Sequence, residues 1–418
     1  MDLYGELEWR GLVHSATEGA REALARERVT GYIGFDPTAS SLHVGSLLVM
    51  TALARLQRAG HSPIAVVGGG TGLIGDPKPT TERALLTLEQ VEANVQGIRP
   101  QLERFLDFDH PKNPARLINN ADWLTKLGAV EFMRDVGKHF SVNAMVAKES
   151  VRKRMDGEGI SYTEFSYALL QAYDFLELYR RYGCTLQMGG SDQWGNITAG
   201  MDLIRRVEGA KAHGLVMPLI TTSAGTKFGK TESGTVWLDA QRTSPYAFYQ
   251  FWLHTDDRDA VRYLRFFTFL EPAPLQEIEA QSAREPEKRH AQRELAREVT
   301  RLVHGDSAVR QAEAAAAALF SGDLQSLSVE QLIAVLGDAP SIEVPRDAEG
   351  WRIQPLLVLA GLAASTSEAN RLIRGRGITV NGQVIADEKS LVLPGQAIEG
   401  QVLVLGRGKK DKCLVRIA

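Results

Sequence analysis

The chain has 418 residues, 44% of them hydrophobic, with two cysteines and a formal net charge of -3; its mean hydropathy is -0.17. That length is too great for one ordinary core and predicts roughly two to four domains in a globular protein. No apolar run reaches membrane-spanning length and Met1 to Ser15 lacks a signal-peptide core, so the expectation is a cytoplasmic protein with no membrane partner. Cys184 and Cys413 flank no Cys-x-x-Cys or His cluster, which implies neither a disulfide framework nor a metal site; Cys184 is expected to be a small buried residue.

The first readable unit runs from Arg28 to Val67. The stretch Arg28 to Thr38 predicts a strand and a polar turn, Leu42 to about Ala59 an apolar helix, and Ile64 to Val67 a second strand after Gly60, which together make a βαβ unit. The helix start in such a unit presents unpaired N–H groups and a partial positive charge, and so suits an anion. His43-Val44-Gly45-Ser46 lies there: His43 offers a hydrogen bond to a phosphate oxygen, and Gly45 lets a flat ligand approach the backbone. An isolated histidine at a helix start is ordinary; its significance here depends on a second stretch far downstream.

Gly70-Thr71-Gly72-Leu73-Ile74-Gly75 matches a dinucleotide-binding pattern but follows the second strand, and Asp76-Pro77-Lys78-Pro79 stands where the phosphate-binding helix should begin. It reads better as a glycine-lined pocket wall ending in Asp76. From Phe165 onward a helix places Tyr167, Gln171 and Asp174 at i, i+4 and i+7, a polar stripe on one face. Gly189-Gly190-Ser191-Asp192-Gln193 comes next, with glycines that admit a nucleotide and a carboxylate suited to a ribose hydroxyl.

The second decisive stretch is Lys227-Phe228-Gly229-Lys230-Thr231, a loop between glycines that carries two positive charges. It is not a P-loop, because Gly225 and Gly229 enclose only three residues and Glu232 to Trp237 reads as turn and strand. Beyond it the text is helical from Thr243 to about Phe320, and Gly337 to Gly350 reads as a linker. The last 68 residues hold ten Lys and Arg against five Asp and Glu, an excess that suits a polyanion. There Pro355 to Leu362 predicts a short helix, Ser365 to Glu368 a helix start, Ile378 to Val380 a strand and Asn381-Gly382 a tight hairpin.

These residues carry a resemblance. His43 to Ser46 is similar to the HIGH motif of class I aminoacyl-tRNA synthetases, and Lys227 to Thr231 to the KMSKS motif in its tyrosyl form. Tyr32 to Thr38, Phe165 to Phe175 and Gly189 to Asn196 look like the family's amino-acid and ribose segments. The chain thus resembles the bacterial tyrosyl-tRNA synthetases over essentially its whole length. The resemblance implies an α/β fold: a Rossmann-like parallel-sheet catalytic domain (1–220), a KMSKS-type loop connection (221–242), a helical anticodon-side domain (243–336), a linker (337–350) and a small α+β S4-like RNA-binding domain (351–418).

It also implies an activity, the ATP-dependent attachment of L-tyrosine to tRNA(Tyr) through a tyrosyl-adenylate, with Mg2+ and a homodimer whose contact lies between Ala121 and Tyr162. By resemblance His43, Thr38, Arg83, Lys227, Lys230 and Thr231 serve catalysis, with Lys230 also among the ATP contacts. Tyr32 and Asp174 read the substrate hydroxyl, Asp76, Tyr167 and Gln171 hold its ammonium, and Gln193 contacts the amino-acid or adenylate region. Gly34, Asp36, Gly45, Ser46, Gly190 and Asp192 meet ATP. Ser46 stands where the family usually has His or Asn, and the Asp76 to Arg83 loop looks slightly short, which leaves Lys78 without an assigned role. The alternatives are a tryptophanyl-tRNA synthetase or related nucleotidylyltransferase, and an RNA-binding splicing helper.

Overall fold

The computed structural model describes residues 2–77, 85–157, 159–223, 225, 228–231, 234–336, 339–408 and 411–418. They fall into two compact units, Met1–Arg242 with His254–Val303, and Thr243–Leu253 with His304–Ala418.

The first unit is built on a six-stranded sheet among the described residues. Its strands are β1 (Ser15–Ala16), β2 (Thr30–Phe35), β3 (Ser62–Val67), β4 (Arg116–Asn119), β5 (Cys184–Gly190) and β6 (His213–Met217), in the order β1-β6-β5-β2-β3-β4. All neighbours are parallel except β1 against β6. The strands β3 and β6 are buried along their whole length, as expected where helices cover both faces of a parallel sheet. The expected βαβ unit is present, its crossover made by a 3-10 turn, Val44–Ser46, and the helix Leu47–Arg58. From β2 the chain moves outward to β3 and β4 on one side, then returns to β5 on the other. That reversal opens a crevice beyond the carboxyl ends of β2 and β5, where open α/β sheets place their ligands.

Two further helices matter for the crevice. Tyr162–Tyr182 starts at Ser161, whose hydroxyl accepts from the Glu164 amide at 3.2 Å, and stops at Gly183 in the left-handed region. Trp194–Glu208 comes directly after β5 and packs along it. Cys184 and Cys413 are both buried free thiols.

In the second unit the helices Pro245–Leu253, Asp306–Ser321 and Val329–Leu336 accompany a five-stranded sheet. Its central pair, Val402–Arg407 and Asp411–Ile417, sends alternate residues into two different cores. Val402, Val404 and Leu414 enter a core with Leu324, Leu327 and Leu332, whereas Leu403, Leu405, Cys413 and Val415 face a second core with Ile353, Leu357 and Ile373. The sheet is therefore covered on both sides. Four residues of the stretch read as a linker, Ser341–Val344, form a strand parallel to Asp411–Ile417; alternation in Ser-Ile-Glu-Val was the overlooked signal. The helical stretch 243–336 is likewise shared between the two units rather than forming one.

The hairpin at Asn381-Gly382 forms as expected, with both residues at positive φ, 49° and 84°. A Cβ on Gly382 would lie 1.7 Å from the Gly322 carbonyl oxygen, so Gly382→Ala adds a backbone collision to about 1–3 kcal/mol of conformational strain. A clearly lowered thermal unfolding midpoint is expected; an unchanged one would refute this packing.

Candidate active site

The crevice is lined by the segments that leave the carboxyl ends of the parallel strands. After β2 come Asp36, Thr38 and His43; after β3, the turn Gly68 to Asp76; after β4, Asn120; and from the last residue of β5, Gly190 to Gln193. The expected polar stripe of Tyr167, Gln171 and Asp174 does lie on the helix Tyr162–Tyr182, and its members join hydrogen-bond networks with these strand ends.

Asp174 is buried, 3% exposed. Its Oδ2 accepts from Asn120 Nδ2 at 2.8 Å and its Oδ1 from Trp123 Nε1 at 2.7 Å. Asn120 also donates to Thr71 Oγ1, which donates in turn to Asp36 Oδ1, and the Tyr167 hydroxyl donates to Asp36 Oδ2 at 2.8 Å. Tyr32, 2% exposed, packs edge-on to Phe175, and its hydroxyl has no hydrogen-bond partner among the described residues. Leaving a buried hydroxyl unpaired costs about 1–3 kcal/mol, so a native chain that keeps one has a use for it. Burial, with the Asp174 carboxyl nearby, holds the Tyr32 phenol well above its usual range.

Burial also raises the Asp174 carboxyl from 3.8 to about 8, against the two hydrogen bonds that favour its charged form. Because the folded value is the higher one, the native state keeps a proton that the unfolded chain has released. The associated stability is complete below the unfolded value and is lost as pH rises towards 8. In Asp174→Asn this dependence disappears. Between about pH 5 and pH 8 the variant's unfolding midpoint is expected to gain steadily on the parent's, and parallel curves would exclude it.

A second network sits nearer the rim. Gln193 Nε2 donates to Asp76 Oδ2 at 2.9 Å, Gln171 Nε2 to Gln193 Oε1 at 3.2 Å, and Asn196 Nδ2 to Gln171 Oε1 at 3.0 Å. Burial first, and then the Asp36, Asp76 and Asp174 carboxyl groups, raise the Tyr167 phenol's proton affinity, so acidic side chains converge on one ring. Such a field suits an ammonium group. Lys148 Nζ donates to the Gly195 carbonyl at 3.1 Å, its proton affinity lowered by burial and partly restored by Asp76.

The glycines of the crevice differ in what surrounds them. A Cβ on Gly45 would meet the His43 ring at 2.8 Å, and one on Gly190 would meet Asp192 Oδ1 at 2.5 Å, so these glycines make room for side chains of the chain itself. Gly34 is the open one of the three: among the described residues a Cβ there would meet nothing within 4 Å. His43 caps the 3-10 turn, its Nδ1 accepting from the Gly45 amide at 3.0 Å. That bond places the ring proton of a neutral imidazole on Nε2, which is then the donor. Ser46 makes no capping bond with its hydroxyl. Thr38 and Asp192 are exposed at the rim.

The lysine-bearing loop reaches this end of the sheet. Val44 N–H donates to the Val236 carbonyl, Val236 N–H to the Gly229 carbonyl, and Leu238 N–H to the Leu42 carbonyl, while His43 stacks edge-on against Trp237. A Cβ on Gly229 would lie 2.7 Å from Val44 Cγ2. Lys230–Thr231 pairs with Gly234–Thr235 as strands, which agrees with rejecting a P-loop helix. Lys78, Arg83 and Lys227 lie outside the described residues, and for Lys230 and Thr231 the backbone alone is described.

A model of class I tRNA synthetases (W and Y) matches residues 24–321, and one of the tyrosine–tRNA ligase C-terminal domain matches 331–415. The chain belongs to the class I tyrosyl-tRNA synthetases. The tyrosine–tRNA ligase of Roseiflexus castenholzii is 56% identical across 99% of each chain, and that of Geobacillus stearothermophilus 52% across 100% of each. The solved C-terminally truncated mitochondrial tyrosyl-tRNA synthetase of Aspergillus nidulans is 32% identical, with a TM-score of 0.68 over 76% of this synthetase and 94% of that chain. Neither the tryptophanyl nor the splicing-helper alternative is favoured. Asn120, Trp123, Thr71, Lys148 and Asn196 were missed in the sequence, although the Asn119-Asn120 pair at the end of a parallel strand was a usable signal.

Proposed function

We propose that the chain activates L-tyrosine with ATP as tyrosyl-adenylate and transfers it to tRNA(Tyr), using the crevice beyond β2 and β5. The observation that carries this reading is the pocket floor: a buried, unpartnered Tyr32 hydroxyl beside a buried Asp174 carboxyl, under a cluster of carboxylates. A phenol placed there pairs with the first two groups, and its ammonium meets Asp76, Tyr167 and Gln171. The tyrosine carboxylate, already ionised, attacks the α-phosphate in line and pyrophosphate leaves, so the protein's work is alignment and charge neutralisation. His43 Nε2–H, Thr38, Arg83, Lys227, Lys230 and Thr231 serve the phosphates; Gly34, Asp36, Gly45, Ser46, Gly190 and Asp192 serve the nucleoside side, and Gln193 the amino-acid side. Mg2+ enters with ATP as part of the substrate.

The protein works in the cytoplasm as a homodimer. Supporting the dimer, Val130, Val142 and Tyr162 are 79%, 62% and 71% exposed within the expected contact segment, an apolar display that needs a cover. Among the described residues no helix is long and apolar enough to cross a membrane. For RNA, the second unit offers exposed Arg371 and the Arg374–Glu388 and Arg407–Asp411 pairs beside the hairpin. Tyrosine-dependent ATP–pyrophosphate exchange by the purified protein is the test, and no exchange would overturn the proposal.

A further inference from the structure

We propose that Asp259 and Arg262 are positioning residues for adenylate formation, setting where the Lys230 segment stands relative to His43. They lie on the helix Asp257–Phe267, which no part of the reaction described above uses. Asp259 is a buried carboxylate, 3% exposed; its Oδ2 accepts from the Ser223 amide at 2.8 Å and its Oδ1 from Arg262 Nη2 at 2.6 Å. Arg262 also donates to the Thr221 carbonyl at 2.9 Å, so the strand-to-loop entry is gripped by a backbone donor and a backbone acceptor two residues apart. One turn onward the same helix holds the middle of the loop. Phe228, 6% exposed, stacks on Phe267 with ring centres 5.5 Å apart and meets Tyr263 edge-on at 5.0 Å.

The far end of this helix is fixed to the helix that His43 begins. Thr51 and Arg55, on Leu47–Arg58, donate to the Phe266 carbonyl, and Arg55 also reaches the Thr268 carbonyl; Arg10 donates to the carbonyls of Arg265, Thr268 and Leu270. Cationic donors at a helix's carboxyl end satisfy its last carbonyls and its dipole. Both signature segments are thereby referred to one pair of helices clamped at a buried end. A buried acidic side chain divided between a loop amide and the arginine that grips the loop's neighbouring carbonyl is an expensive way to anchor a loop unless the loop's place matters.

The inference rests on the proposed phosphate role of Lys230, and the experiment separates the two. Asp259→Ala, Arg262→Gln, Lys230→Ala and the two double variants are compared in single-turnover adenylate formation, with tyrosine binding measured at equilibrium. Because a misplacement of about 1 Å costs on the order of 100-fold, Asp259→Ala is expected to lose roughly 10–100-fold in rate, and the exposed Arg262→Gln less, with tyrosine affinity held within about twofold. In the Lys230→Ala background both losses shrink well below their values in the parent, as expected when one group acts through another, the remainder belonging to Lys227 and Thr231 on the same segment. Full additivity, an unchanged rate, or a matching loss of tyrosine affinity would overturn the positioning role. A normal rate in Lys230→Ala alone would overturn the phosphate reading as well. Should Asp259→Ala fail to fold, Arg262→Gln carries the test, since its side chain is 44% exposed.

Discussion

Lys230→Ala and His43→Ala are each expected to lower the rate of tyrosyl-adenylate formation by about 100–1,000-fold while leaving tyrosine binding nearly intact, the cost typical of removing one preorganised donor from a developing negative charge. The backbone geometry brings the two segments together: Gly229 packs on Val44, and Val236 bridges the two through its amide and carbonyl. His43 also has a structural task, since its Nδ1 caps the turn that opens the helix. His43→Asn separates the two roles. Asparagine is a good capping residue and restores the bond to the Gly45 amide, but it offers nothing at the Nε2 position. If the phosphate role is correct, His43→Asn recovers stability and little rate; recovery of rate with stability would reduce His43 to a cap.

The range of the interactions decides which features were legible in the sequence and which were hidden. The βαβ unit, the long helix carrying Tyr167, Gln171 and Asp174, and the Asn381-Gly382 hairpin are set by local periodicity and turn chemistry, and each formed as expected. The partners of Asp174 are another matter. Asn120 and Trp123 are 54 and 51 residues away along the chain, and although the Asn119-Asn120 pair marks a strand end, it does not say that Asp174 is the partner. Distance along the chain also explains the strand Ser341–Val344, which exists because Asp411–Ile417 supplies an edge for it. The glycines are ambiguous for a related reason. A Cβ on Gly45 or Gly190 would meet His43 or Asp192, two residues away, so the chain's own side chains already require glycine at both positions whatever ligand they also face. A glycine shows that something must come close and does not say what.

Tyr32→Phe and Asp174→Asn are expected to lower the preference for tyrosine over phenylalanine, measured as the ratio of kcat/KM in pyrophosphate exchange. Phenylalanine bound in this pocket leaves the Tyr32 hydroxyl buried and unpaired and leaves Asp174 without its phenol. Each buried polar group so stranded costs about 1–3 kcal/mol. Tyr32→Phe removes one stranded group, so the ratio falls by about tenfold, chiefly through poorer use of tyrosine. Asp174→Asn goes further. The carboxyl accepts from both Asn120 and Trp123, and an amide has one oxygen to offer those two donors and the phenol together. Its NH2 faces a donor whichever way it turns, so tyrosine loses an acceptor and the floor of the pocket loses a bond. The expected fall is about 100-fold or more, with phenylalanine activation changing far less. An unchanged ratio in Asp174→Asn, with the protein folded, would mean that the hydroxyl is read elsewhere. The polar floor would then serve the fold alone, and the orphaned Tyr32 hydroxyl would need another ligand.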